Sequence, residues 1–172
     1  MSRKLSDLQA PFREQAIAFT RVCNEEGLQV LIYCTKRELE EQARLYRSGR
    51  SLAKIETKAA SLGEKYHRPD LAQILLNAAP QKSKKIVTWS GPGQSLHNYA
   101  YAFDGCPIRD GKPVWGTRKS DDLSLWMHYG DIANRLGLTW AGDWSKEKRE
   151  FPHVQQPNVN WRDLIQPLLS GF

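Results

Sequence analysis

Two short stretches far apart in this chain have to meet if they are to do any chemistry. The first, Ser95-Leu96-His97-Asn98-Tyr99-Ala100-Tyr101-Ala102-Phe103-Asp104, sets an imidazole and a carboxylate seven residues apart, across a loop that runs into a short strand of alternating small and aromatic residues. The second, Glu150-Phe151-Pro152-His153, brings another imidazole with a carboxylate three positions before it. Two histidines and one carboxylate are a standard protein ligand set for a catalytic zinc, with a fourth position left to water. Glu150 is then the spare carboxylate, available to handle protons. The fold must therefore carry His97, Asp104 and His153 to one place.

The local patterns support that requirement. A strand period of two puts Ala100, Ala102 and Asp104 on one face and Tyr101 and Phe103 on the other. The two alanines leave room beside the aspartate for a metal and a substrate. Ser95 is a candidate donor for orienting a ligand, because ligating groups usually need such support. Pro152 fixes the backbone before His153 and keeps Phe151 extended, so Glu150 and His153 can face one cleft. A zinc held this way lowers the pKa of water toward ~7 and polarises a carbonyl. Glu150 would act as general base and then pass the proton to a leaving amine. Arg37, at a strand-to-helix junction, is placed to bind a substrate carboxylate or a developing oxyanion. Amide hydrolysis is the chemistry this arrangement serves. Of the other two histidines, His128 falls in a helical stripe with Leu125, Ile132 and Leu136 and reads as a core or supporting residue. His67 reads as a surface residue.

Periodicity and punctuation lay out the rest of the chain. A first helix is predicted over about Ser6 to Glu26, closed by Gly27, followed by an apolar interior strand over Gln29 to Cys34. Glu38 to Tyr46 forms a helix ending at Gly49. Leu52 to Leu62 and Asp70 to Ala79 form two more, with Gly63 between them and Pro80 closing the second. Ile86 to Trp89 reads as a strand, Ser90 to Gln94 as a tight loop, and Ala100 to Asp104 as a strand. Asp110-Gly111 marks a hairpin within Pro107 to Val114. Asp121 to Leu136 is a helix, Leu138 to Trp140 a short strand, Ser145 to Arg149 a solvated loop, and Trp161 to Leu169 a closing helix.

Size and charge restrict the function classes. A chain of 172 residues suits one domain with a real core. Its net charge of +6, from 25 basic and 19 acidic residues, favours a polyanionic setting such as nucleic acid, anionic lipid or a bacterial wall polymer. Nucleic acid is the weakest of these, because no helix-turn-helix, zinc-finger or single-strand-binding motif is present. Cys23, Cys34 and Cys106 are an odd number at no metal-like spacing, which argues for synthesis in a reducing compartment rather than a disulfide framework. There is no export signal and no apolar run long enough to span a bilayer. Synthesis in the cytoplasm and no stable membrane insertion are the expectations.

The motifs together resemble a known family. Ser95-x-His97 with Ala102-x-Asp104, followed by Glu150-x-x-His153, is similar to the signature of the zinc D-alanyl-D-alanine carboxypeptidase, dipeptidase and L-alanyl-D-glutamate endopeptidase family. The surrounding text agrees: Arg37 with Glu41-Gln42, Leu45-Tyr46 and Gly49-Arg50, then Ile86-Val87-Thr88, His97-Asn98-Tyr99, Trp126, Gly142-Asp143-Trp144 and Pro152-His153-Val154-Gln155. The resemblance covers roughly residues 28–156 and is greatest to the phage endolysin branch. It implies an α+β fold of the Hedgehog/DD-peptidase type, with helices flanking a small antiparallel sheet that carries the zinc site. It implies His97, Asp104 and His153 as zinc ligands, Glu150 as catalytic base, and Arg37 and Ser95 as substrate-binding or supporting residues. The expected protein is thus a monomeric single-domain zinc peptidase over 1–172, with a helical insertion at about 51–83 and no separate cell-wall-binding domain. Its partner would be bacterial peptidoglycan, cut at the L-alanyl-D-glutamate bond of the stem peptide. It would be made in the host cytoplasm and reach the wall, for bacteriophage lysis, through a separate membrane-permeabilising protein. Two alternatives stand beside it: a D,D-carboxypeptidase or dipeptidase acting on terminal D-alanine, and a noncatalytic zinc-stabilised binding module.

Overall fold

The strands among the described residues are β1 (Val30–Cys34), β2 (Ala102–Arg109), β3 (Lys112–Pro113), β4 (Thr139–Trp140) and β5 (His153–Gln155). They form a small antiparallel sheet ordered β1-β2-β5-β4, and β3 pairs with β2 as a hairpin. The computed structural model describes residues 1–79 and 85–166. The chain divides into two compact units. The first comprises Met1–Lys36 and Ala100–Val159, and the second Arg37–Tyr99 with the segment from Asn160 onward. The architecture is α+β, as the motifs imply.

In the first unit, α1 (Phe12–Glu25) and α5 (Ser120–Arg135) cover the sheet. The buried positions of α1 are Phe12, Ala16, Phe19 and Cys23, at the three-to-four spacing of one helical face. Phe103, projecting from β2, stacks between Phe12 and Phe19 with ring centroids 5.8 and 5.3 Å away. Alternation along the strand then gives Ala102 and Asp104 to the opposite face. The aromatic core and the polar row are two sides of one strand.

The buried face of α5 runs through Trp126, Tyr129, Gly130, Ile132 and Ala133. This displaces His128 from the apolar stripe expected of it. His128 sits on the rim, where its Nε2 lies 2.8 Å from Glu26 Oε2, and Arg135 bonds the same carboxylate. The register of large aromatics decided the face, because Trp126 and Tyr129 bury far more area than Leu125 and Leu136.

Gly130 and Gly105 sit tight against aromatic side chains. At Gly130, an added Cβ would stand 2.1 Å from the Trp140 ring, and at Gly105 it would stand 2.7 Å from the Tyr129 hydroxyl. The hairpin turn follows its sequence signal, with Asp110 at φ 52° and Gly111 at φ 74°.

The second unit is helical. It contains α2 (Leu39–Arg47), α3 (Leu52–Glu64), α4 (Pro69–Asn77) and the short α6 (Trp161–Leu164). Its core gathers Ala43, Tyr46, Ile55, Ala59, Leu62, Leu71, Leu75 and Ile165. The predicted strand Ile86 to Trp89 is not a strand. Ile86, Val87 and Trp89 are exposed, and no ladder partner runs beside them among the described residues. Side chains hold the segment instead: Arg50 donates to the Thr88 carbonyl at 2.7 Å and Gln42 to the Ser90 carbonyl at 2.7 Å. The closing helix stops at Leu164, short of the predicted Leu169, and Pro80 and residues 167–169 lie outside the described residues. No helix among the described residues is long and apolar enough to cross a membrane.

Candidate metal and catalytic site

The sheet register brings Asp104 and His153 together. They are directly paired residues of β2 and β5, and Ala102 pairs with Gln155 two residues along. Asp104, Ala102, His153 and Gln155 therefore share one face of two adjacent strands. His153 Nδ1 lies 3.2 Å from Asp104 Oδ1, and its Nε2 lies 3.1 Å from Gln155 Oε1. One ring nitrogen meets the carboxylate and the other is held by an amide oxygen.

On the other side of Asp104 stands Cys34. A β-bulge between Ile32 and Cys34 shifts the β1 register, so Cys34 rather than Tyr33 comes opposite the aspartate. The Cys34 and Asp104 ligand atoms lie within 4.8 Å of each other. A row of three chemically active side chains thus crosses β1, β2 and β5. All three cysteines are reduced and buried.

The segment entering β5 is pinned from several directions. The Pro152 carbonyl accepts the Gly105 N–H at 3.0 Å and the Tyr129 hydroxyl at 3.0 Å. The Phe151 carbonyl accepts the Trp140 indole N–H at 2.7 Å. The His153 N–H closes a turn on the Glu150 carbonyl at 3.3 Å, and the Glu150 N–H bonds the Ala141 carbonyl at 3.2 Å. Glu150 is itself exposed. Its carboxylate projects from a fixed turn three residues before the histidine.

Electrostatics follow this geometry. Burial opposes charge on His153, but the hydrogen bond and charge of Asp104, with smaller contributions from Glu150 and Gln155, outweigh it and raise the imidazole above its ordinary value. Burial is the main cause that drives the Tyr129 hydroxyl well above the usual phenol range, so it stays a neutral donor to Pro152.

His97, Arg37 and Ser95 belong to the second unit. His97 lies in the 3-10 turn Leu96–Tyr99 and is buried. Its carbonyl accepts the Arg37 N–H at 3.0 Å. Asn98 ties the neighbourhood together, donating to the Arg37 carbonyl at 2.9 Å and accepting from the Gly93 N–H at 3.0 Å. The Ser95 carbonyl starts the turn by accepting the Asn98 N–H. The Arg37 guanidinium donates to Gln42 Oε1 at 2.8 Å, and Gln42 is fully buried. Arg37 is therefore aimed by a side chain that is itself held.

The donor set suits a divalent cation. Two ligands of one tetrahedral zinc, each bonded at 2.0–2.1 Å, stand about 3.4 Å apart. Asp104 and His153 already approach to 3.2 Å with only 9% and 8% exposure. Gln155 then supplies the partner that a ligating imidazole needs on its far nitrogen. A cation between carboxylate and Nδ1 would replace the proton that now joins them. Gln155 and Asn98 are polar partners of these residues that motif reasoning left without a role. For Gln155 the usable signal was its position two residues after His153 in a strand.

An α+β fold with a buried histidine–aspartate pair on its sheet and a glutamate in the turn before β5 defines a candidate metallohydrolase. Residues 89–156 match the D-alanyl-D-alanine carboxypeptidase family, Peptidase M15. The chain is similar to peptidoglycan L-alanyl-D-glutamate endopeptidase CwlK of Bacillus subtilis (strain 168), 28% identical over 158 residues that span 89% of this chain and 76% of that protein. Both sequence matches are to peptidases, one described as a D-alanyl-D-alanine carboxypeptidase and the other as a peptidoglycan endopeptidase. Among solved structures, the vancomycin-resistance D,D-pentapeptidase VanY, a mutant in complex with Zn(II), aligns with a TM-score of 0.47 at 13% identity. It covers 86% of this chain and 71% of that one.

Proposed function

We propose that this protein is a zinc-dependent peptidoglycan peptidase that hydrolyses the L-alanyl-D-glutamate bond of stem peptides. The observation that carries the reading is the 3.2 Å approach of two buried ligand-type side chains, Asp104 and His153, directly beside the Glu150 turn. The similarity to CwlK over most of both chains supports the choice of bond. In this reading His97, Asp104 and His153 hold the zinc.

Bound there, zinc would supply Lewis-acid polarisation of the scissile carbonyl and a more acidic water. The chain's own residues do the rest. The exposed Glu150 carboxylate takes a proton from the attacking water and delivers it to the nitrogen of the departing amine. Its fixed turn limits the positions that carboxylate samples, which is the advantage of a preorganised base. Arg37, aimed by Gln42, binds a substrate carboxylate or the oxyanion that develops at the scissile carbonyl. Ser95 supports the ligand set from the start of the His97 turn. The whole chain acts as a single monomeric peptidase domain, with the helices after residue 51 as an insertion. It works as an endolysin, made in the cytoplasm and released to the wall by a separate membrane-permeabilising protein.

The test is digestion of purified peptidoglycan. New amino groups should appear as N-terminal D-glutamate, activity should vanish with chelator, and Glu150→Ala should be inactive while still binding zinc. Digestion that proceeds unchanged in Glu150→Ala would refute the mechanism. The family description over residues 89–156 favours one rival, a D,D-carboxypeptidase. Release of free D-alanine, read by mass spectrometry, would establish that rival.

A further inference from the structure

Within the second unit two cations lie against one aromatic ring with no acidic partner among the described residues. Arg50 Cζ is 3.8 Å from the Tyr46 ring centroid and Lys58 Nζ is 5.3 Å from it. Both side chains run beside the loop of residues 88–94. Arg50 donates to the carbonyls of Tyr46 and Thr88. Lys58 donates to Gln94 Oε1 at 3.0 Å and packs its methylenes 3.5–3.6 Å from where a Cβ on Gly91 would stand. Among the described residues no carboxylate pairs with either cation. Each keeps N–H donors to spare.

The energetic state of the pair is unfavourable as it stands. Loss of water lowers the pKa of Lys58, and repulsion from Arg50 lowers it further. Desolvation lowers that of Arg50 as well, against the smaller opposing effect of Tyr46. Half-buried cations of this kind gain most from an anion that uses their remaining donors. Beside the guanidinium, at 5.5 Å, lies the ring of Trp89, which is 65% exposed. A flat apolar wall next to a cation pair suits a carboxylate carried on a short peptide. A polyphosphate strand would want its cations spaced in a row, whereas these share one ring and one loop.

We propose that Arg50, Lys58 and Trp89 form a carboxylate-binding subsite for the peptide substrate, separate from Arg37. This rests on the peptidase reading above and adds to it a determinant of substrate choice. Lys58 and Arg50 hold the carboxylate, and Trp89 covers the adjoining part of the peptide.

The experiment measures binding of N-acetyl-L-alanyl-D-glutamate and of its bis-amide to the full chain carrying Glu150→Ala, by calorimetry. Lys58→Met should weaken binding of the acid about tenfold, the loss that goes with one charge-assisted hydrogen bond. Bis-amide binding should change less than about twofold, and Lys58→Arg should restore the acid. Trp89→Ala should weaken both ligands. Equal weakening of acid and amide by Lys58→Met, or no weakening of either, would overturn the subsite. So would inorganic phosphate binding more tightly than the acid and being lost in Lys58→Met. These binding results do not depend on hydrolysis. A wild-type chain that leaves peptidoglycan intact would therefore refute the activity while the subsite stood or fell on its own.

Discussion

Gln155→Leu isolates the part of the site that holds a ligand without being one. The leucine keeps the backbone pairing with Ala102 and replaces the carboxamide, whose oxygen lies 3.1 Å from His153 Nε2, with an apolar group. With that contact gone, the imidazole loses the partner that fixes its tautomer and its angle toward Asp104. Loss of such a partner typically weakens metal affinity 10–100-fold, equivalent to about 1.4–2.7 kcal/mol. The Nδ1 approach to Asp104 at 3.2 Å remains, so binding is weakened rather than abolished. Competition against a chromophoric chelator reads the zinc dissociation constant directly, and a thermal melt of the metal-free chain controls for folding. Zinc affinity in Gln155→Leu within about twofold of the wild type would refute the argument that this amide orients the ligand.

Two further perturbations test the framework around the site. Gly130→Ala should destabilise the first unit by about 1–3 kcal/mol, because its Cβ would meet the Trp140 ring at 2.1 Å and displace an indole that bonds the Phe151 carbonyl. The melting temperature should fall by roughly 2–4 °C for each of those kcal/mol, and an unchanged melt would show that the helix and ring are not in contact. On the surface, hydrogen bonds first from His128 and then from Arg135 hold the Glu26 carboxyl below its ordinary value. A depressed carboxylate contributes stability that is present above its unfolded pKa, about 4.3, and is lost as pH falls through the folded value. Melting temperature should therefore drop on acidification below about pH 4–5, less so in Glu26→Gln, and identical acid profiles in the two would contradict the pairing.

How much of this was legible beforehand depends on the range of the physics involved. α1 through α4 announce themselves through three-to-four apolar spacing and their flanking Gly, Ser and Pro, which are local signals. β2 was legible as a strand because Phe103 and Asp104 need opposite faces. Its pairing with β5 was not, since register is set by tertiary contacts, and only the motif logic required Asp104 and His153 to meet. The β1 bulge that sets Cys34 beside Asp104 leaves no mark in the composition of Val30–Cys34. Ile86 to Trp89 has every local feature of a strand and finds no ladder partner among the described residues. For His128 the wrong face was chosen by counting leucines where ring area decides.

The most direct test of the central claim is the zinc content of the purified chain, measured for the wild type and for His97→Ala, Asp104→Ala and His153→Ala. The account predicts one zinc per chain in the wild type and loss of most of it in each variant, with the fold retained. A wild-type chain that takes up no zinc, or variants that keep it in full, would contradict the claim that these three residues hold one ion.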